Sequence, residues 1–394
     1  MIDEKRKDEA PGSAENPSAE TRPKGLSRRD FLIGAGLGVS GLLVAGASRY
    51  LNNMPDAAIQ GLIERGIAAS NARNPFEDDA LHVITTGTGA PLPDPRRVGP
   101  QAVVVAGDQI LVFDTGPGST RKLLLTGLNV SSVNALFLTH YHSDHISDLG
   151  EFMLQHWGNA GATEPLKIYG PTGVEAVVAG FLAAYQLDRG YRIAHHGTDV
   201  MPPSGFGAVA HAFDLGTDLM SSEVVYEAGD VNVIAFNVDH PPVVPAVGFR
   251  VTYKDRSVVI TGDTIYSDSL IHHAMGADLM VSDSLNHKMS QWTADAGRDT
   301  ENNLSSVTED IQESHIRPEE AALVAKEAGV PVLIITHVLP PVPDQFIKPF
   351  LRDARAVYGG ELRMANDGTL ISLPVNSDRH AIRELLASSG GARG

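Results

Sequence analysis

The stretch from Val133 to Gly150, VNALFLTHYHSDHISDLG, constrains this chain more than any other. An apolar run, Ala135 to Leu138, has the length and composition of a short buried strand, and it ends at Thr139 in a polar loop. That loop holds His140, His142, Asp144 and His145. Residues two apart in an extended segment point the same way, so His140 and His142 can reach one ion. Asp144 and His145 follow after the chain turns, and they can face a second. A lone His-x-His pair is common on exposed strands. Four ligand-type side chains within six residues of a strand end are metal-site chemistry.

None of the 394 residues is a cysteine, which excludes disulfides, thiolate ligands and a cysteine nucleophile. A metal must then be held by His and carboxylate, donors that suit zinc, iron or manganese. The apolar content of 42% supports a sizeable core. The formal net charge is -17, whereas a protein whose main partner is RNA or DNA carries a basic face. No nucleic-acid partner is expected; a homo-oligomer stays open.

Residues 1–26, charged and rich in Pro, Ser and Ala, read as a disordered tail. Residues 27–47 begin Ser27-Arg28-Arg29-Asp30-Phe31-Leu32, continue through a weakly apolar Gly/Ala-rich segment and end Ala45-Gly46-Ala47. This resembles a twin-arginine export signal, so the twin-arginine machinery is an expected partner and the periplasm or medium the expected location. The competing reading is a transmembrane anchor, but a bilayer span wants about 20 strongly apolar residues. Cleavage near Ala47 and retention as an anchor both stay open.

Residues 48–79 read as a helix, Asp56 to Ser70, and a polar linker. The folded body is expected over 80–375, with a frayed tail at 376–394. Within the body, strands and helices alternate in two blocks, about 80–240 and 241–375, each rich in β structure. Several strands are joined by hairpin-length links, which suits two sheets packed face to face with helices outside. Asp188 to Asp230, rich in Gly, Pro and His, reads as a surface loop or lid whose His195, His196 and His211 are not ligands.

Two ions about 3.5–4 Å apart want roughly seven ligands, one of them bridging. The remaining candidates are polar residues at strand ends, where a rigid scaffold aims them. His240 follows the strand Val231–Val238, Asp263 follows Val258–Thr261, and His337 follows Val332–Thr336. Asp263 has two oxygens and can bridge, which no histidine does readily.

His140-x-His142-x-Asp144-His145, a later His, Gly262-Asp263-Thr264 and Thr336-His337 together resemble the metallo-β-lactamase superfamily. Within it the chain resembles the branch shared by ribonuclease Z and the AtsA-type arylsulfatases, and Arg97-x-Gly99-Pro100, Leu111–Gly116, Asp239-His240-Pro241-Pro242 and His315 through Ala321 resemble the arylsulfatase-like group closely. The resemblance covers most of residues 80–375. It implies an α+β fold, the four-layer αβ/βα sandwich, with the site at one edge between the sheets. It also implies two divalent ions, zinc by preference. His140, His142 and His240 would bind one, Asp144, His145 and His337 the other, and Asp263 would bridge.

The chemistry implied is ester hydrolysis by a metal-bridging hydroxide. Asp144 can receive the nucleophile's proton, and His315 is the candidate general acid, since its match in the branch lies beside the leaving group. His287 is a weaker candidate; His82, His156, His272, His273 and His380 receive no role. A small-molecule ester is expected as substrate, aryl sulfate first, with a phosphodiester of ribonuclease Z type or a lactone as alternatives. Ribonuclease Z carries a basic arm between the third His and the bridging Asp, yet here 22 residues separate His240 from Asp263 (263 − 240 − 1), too few for one. The branch's His-Glu-Ala-Thr segment is also replaced, by Asp283-Ser284-Leu285-Asn286-His287. Arg96 and Arg97 are candidates for steering an anion. A catalytically idle, exported metal-binding protein is the reading from another class.

Overall fold

The computed structural model describes residues 54–70, 76, 78–159, 161–300 and 303–386. The tail expected at 1–26 and the export signal expected at 27–47 lie outside these residues. Among them, no helix is long and apolar enough to cross a membrane.

In chain order the strands are β1 (Ala80–Gly87), β2 (Gln101–Ala106), β3 (Gln109–Phe113), β4 (Ala135–Phe137), β5 (Leu166–Pro171), β6 (Ala208–Phe213), β7 (Ser222–Ala228) and β8 (Val231–Asn237). They continue with β9 (Val247–Tyr253), β10 (Arg256–Ile260), β11 (Leu279–Leu285), β12 (Val332–Leu339), β13 (Glu361–Met364), β14 (Thr369–Pro374) and β15 (Ala381–Glu384). The helices used below are α1 (Asp56–Ser70), α2 (Ser119–Leu125), α3 (Ser143–Ile146), α4 (Leu149–Leu154), α5 (Val174–His196), α6 (Asp268–Ala274), α7 (His287–Gly297), α8 (Leu304–Asp310) and α9 (Pro318–Glu327).

One sheet runs β15-β14-β1-β2-β3-β4-β5-β6 and the other β13-β12-β11-β10-β9-β8-β7. Their strands are near-continuous apolar runs because both faces of each sheet are covered. Alternate residues of β2 show this: Ala102 and Val104 enter the core between the sheets, while Val103 and Val105 enter the core beneath α2, α4 and α5. In β10, Val258 faces the first core and Val259 the one under α6 and α9. Helices, sheet, sheet and helices make four layers, the sandwich expected from the sequence.

The chain differs from that expectation in three places. Asp188–Asp230 is not a lid: α5 runs on to His196, and β6 and β7 then form an edge of each sheet. His211 is a strand residue paired with Tyr169, their rings stacked at 4.6 Å. The chain leaves the first sheet before β7, not near residue 240, and returns to it with β14 and β15. The tail at 376–394 contains β15, which pairs with β14 because Ile382 has the inter-sheet core to pack on. Between β11 and Ser314 the chain forms α7 and α8. His273 of α6 is buried against Phe236.

What positions the site is packing at one edge of the sandwich. Phe113, Phe137 and Phe249 meet with centroids 5.0 to 5.5 Å apart and tie β3, β4 and β9 together. Burial of each such ring is worth about 1.5–3 kcal/mol. Immediately past these rings, two loops cross backbone to backbone. Gly99 N donates to Pro117 O and Gly116 N to Pro100 O, both at 3.0 Å. A Cβ on Gly116 would lie 2.3 Å from the Gly99 carbonyl carbon and 2.4 Å from the Asp144 carbonyl oxygen. Gly116→Ala is therefore expected to lower stability by about 1–3 kcal/mol, read as a lower urea midpoint. Gly180→Ala in α5, where a new Cβ meets nothing within 4 Å, should leave stability unchanged or raise it. Equal losses at both positions would contradict this crossing.

Candidate metal centre

Four strand ends from two sheets supply the candidate ligands. His140 and His142 follow β4, and Asp144 and His145 lie in α3, whose single turn brings both side chains inward. His240 follows β8 and Asp263 follows β10. His337 is the exception to the strand-end expectation: it lies inside β12, with φ at +43°. Ser282 pairs with Ile335 and Ser284 with Val338, so Asp283 alone opposes both Thr336 and His337. This bulge redirects the His337 side chain into the site.

All seven sequence-predicted ligands converge, and His315 joins them. His140 Nε2 stands 3.0 Å and His240 Nε2 3.3 Å from His142 Nδ1. Asp144 Oδ2 is 3.1 Å from His337 Nε2 and 3.5 Å from His145 Nε2. Asp263 Oδ2 spans both groups, 3.2 Å from His145 Nε2, 3.4 Å from His337 Nε2, 3.8 Å from His140 Nε2 and 3.9 Å from His240 Nε2. His140, His142, His240 and Asp263 offer ligand atoms within 4.8 Å of one another, as do Asp144, His145 and His337. A third such group is Asp263, His315 and His337.

The far ring nitrogens of His140, His145 and His240 are held by the protein. His240 Nδ1–H donates to the Ser314 carbonyl at 2.7 Å. His145 Nδ1–H donates to Asp114 Oδ2 at 2.9 Å. Thr139 Oγ1 donates to the same carboxylate and lies 3.0 Å from His140 Nδ1. Each bond fixes a tautomer that turns the Nε2 lone pair into the site. Asp114, which the sequence reading did not single out, therefore orients one histidine in each group. Its φ of +60° turns the chain sharply after β3, a conformation Asp tolerates. The signal was available: like Asp263, it is a charged residue directly after an apolar strand. Asp283 was also missed as a site residue; its Oδ2 hydrogen-bonds His315 Nδ1 at 3.0 Å.

Burial works against the positive charge of His145, but Asp263, Asp144 and Asp114 outweigh it and hold the imidazole well above its ordinary value. Burial likewise opposes charge on His337, and Asp263 with Asp144 prevails and raises it. Burial opposes charge on Asp144 and Asp263 too, yet the same two histidines keep both carboxyls below the usual range. Burial pushes His140 well below the ordinary histidine value, aided by His145, and His240 and His315 down to about 4. Protons thus stabilise these carboxylates where a cation otherwise would. Buried His145 Nε2 and Asp263 Oδ1 have no hydrogen-bond partner. An all His/carboxylate donor set that leaves buried donor atoms unpartnered fits a borderline divalent cation.

Stability of the metal-free protein should follow from these shifts. His140, His142, His240 and His315 are lowered in the fold, so their stabilisation is present above the unfolded value of about 6.5 and lost as pH falls through their folded values, about 4 for His240 and His315. His145 and His337 are raised; they stabilise below about 6.5, and that contribution is lost as pH rises through their folded values. Four against two gives a melting temperature several degrees lower at pH of about 5 than at about 7 in chelator-treated protein. A flat profile would contradict the assignment. Asp114→Asn should weaken metal affinity about 10–100-fold by equilibrium dialysis.

Comparison with known proteins agrees with this geometry. The metallo-beta-lactamase superfamily model matches residues 95–275. Ribonuclease Z of Mycobacterium sp. (strain KMS) is 36% identical over 263 residues, covering 66% of this chain and 85% of that protein. Ribonuclease Z of Mycobacterium bovis (strain BCG / Pasteur 1173P2) is 33% identical over 289 residues, 73% of this chain and 96% of the relative. Among solved structures, human tRNase Z, short form, superposes with a TM-score of 0.54 at 23% identity, covering 75% of this chain and all of that one. With this fold, this cluster and these homologues, the chain belongs to the metallo-β-lactamase superfamily of metal-dependent hydrolases.

Proposed function

We propose that this protein is an exported, binuclear hydrolase of small anionic esters, with phosphodiesters ahead of aryl sulfates. The observation that carries it is the pair of ligand groups joined through Asp263. The order departs from the sequence expectation because the homologues are named ribonuclease Z, which favours phosphodiester cleavage. Aryl sulfate stays second, supported by the replacement of the branch's His-Glu-Ala-Thr segment around Asp283.

His140, His142 and His240 would hold one cation, Asp144, His145 and His337 a second, with Asp263 between them; zinc suits these donors. Bound divalent ions supply Lewis acidity and bring the pKa of a water toward neutrality. The chain's own groups do the rest. Asp144 accepts the proton of the attacking water. Burial raises the Asp283 carboxyl well above the usual range, so it donates to His315 Nδ1 and leaves the ring proton on Nε2. His315 gives that proton to the departing oxygen as Asp283 passes its own to Nδ1.

The names of the homologues reopen RNA as a substrate, against the expectation of no nucleic-acid partner. Two features weigh against a long RNA. The net charge is -17, and the segment between His240 and Asp263 is occupied by the β9–β10 hairpin, leaving no arm. Export through the twin-arginine signal at 27–47, to the periplasm or medium, belongs to the same reading.

Metal-loaded protein should turn over bis-p-nitrophenyl phosphate faster than p-nitrophenyl sulfate, and chelation should abolish both. No metal-dependent turnover of any ester would favour the idle metal-binding alternative. His315→Ala should slow esters of poorly acidic alcohols about 10²–10⁴-fold and nitrophenyl esters far less. Equal losses on the two would remove His315 from proton delivery.

A further inference from the structure

A cleft of about 610 Å3 opens beside the ligand cluster, and its wall is chemically unlike the centre. His315 lines it; this side chain is only 6% exposed, and its Nε2, the nitrogen not held by Asp283, has no protein partner. Around it stand Tyr266, Arg317, Glu309, Glu313 and Glu320. The nearby cations are already engaged. Arg317 Nε is 3.9 Å from Glu320 Oε1, and the other oxygen of Glu320 caps the Arg317 backbone N–H at 3.0 Å. Arg298 divides itself between Asp295 at 3.0 Å and Glu309 at 3.2 Å. Glu313 is exposed and makes no ion pair among the described residues. Three carboxylates of the wall, Glu309, Glu313 and Glu320, therefore face one guanidinium group, that of Arg317.

Resting on the reading that His315 faces the leaving group, we propose that this cleft receives the departing alcohol and selects an uncharged or cationic aromatic alcohol over an anionic one. A concave wall with a surplus of negative charge focuses its field into the cleft and repels anions. Tyr266 offers an aromatic ring to the same space, suited to an aryl group or a quaternary ammonium. The next phosphate of an RNA strand would meet Glu309 and Glu313 instead of a basic surface. The ester bond broken sits at the metal centre; the cleft binds only the alcohol that leaves with a proton.

The test uses full-length, metal-loaded protein and three methyl aryl phosphates: methyl 4-nitrophenyl, methyl 4-(trimethylammonio)phenyl and methyl 4-sulfophenyl phosphate. After correction for leaving-group acidity, kcat/KM should favour the trimethylammonio over the sulfo compound by about 10-fold or more at low salt. The preference should shrink in 1 M salt and in Glu313→Lys. Equal rates, or a preference for the sulfo compound or a short oligoribonucleotide, would overturn the proposal and leave the hydrolase reading standing. If none of the three is hydrolysed, the hydrolase reading fails by itself. Calorimetric titration with the two free phenols then decides the cleft: tighter binding of the trimethylammonio phenol supports it, and equal or tighter binding of the sulfonate refutes it.

Discussion

One carboxylate oxygen, Asp263 Oδ2, lies 3.2 to 3.9 Å from ring nitrogens of five histidines. An oxygen with two lone pairs cannot satisfy that many donors, and buried imidazoles cannot all carry protons. Only positive charge placed among them removes the conflict. The fold is arranged to create this crowding. Two sheets bring β4, β8, β10 and β12 to one edge, and the phenylalanine cluster between β3, β4 and β9 keeps their ends from moving apart. Asp114 then sets His145 directly and His140 through Thr139, so one buried carboxylate governs the aim of a histidine in each group.

Much of this was legible because ligand residues interrupt apolar runs. His140, His240 and Asp263 each follow a strand whose pattern is plain, and a polar side chain at that position is conspicuous. Asp114 carries the same signal but precedes Thr115-Gly116-Pro117-Gly118, a sequence that reads equally well as turn chemistry. His337 and Asp283 were harder for a physical reason. A bulge is a relation between two strands, and the pattern of either one alone does not contain it. The four-layer sandwich followed from strands buried on both faces. The edge strands β6 and β7 escaped because they are half exposed, so their residues lack the apolar runs that mark the interior.

Fold and metal chemistry do not choose a substrate; the surroundings of the centre do. Homologues named ribonuclease Z pull the assignment toward phosphodiesters. The surplus of acid, globally and in the cleft beside His315, pulls it away from long polyanions. Both constraints are met by a small diester whose charge is confined to the group that sits between the ligand clusters. The buried Asp283–His315 pair stands where the centre meets that cleft, and it is the point at which proton delivery and leaving-group recognition coincide.

The central claim is that seven residues from four separate segments of the chain hold divalent cations as one unit. Elemental analysis of freshly purified full-length protein, together with Asp263→Asn, tests it most directly. Two transition-metal ions per chain are expected in the parent and a loss of at least one in the variant, with activity falling in parallel. Fully active protein containing no stoichiometric metal, or an Asp263→Asn variant that keeps both ions and full activity, would contradict it.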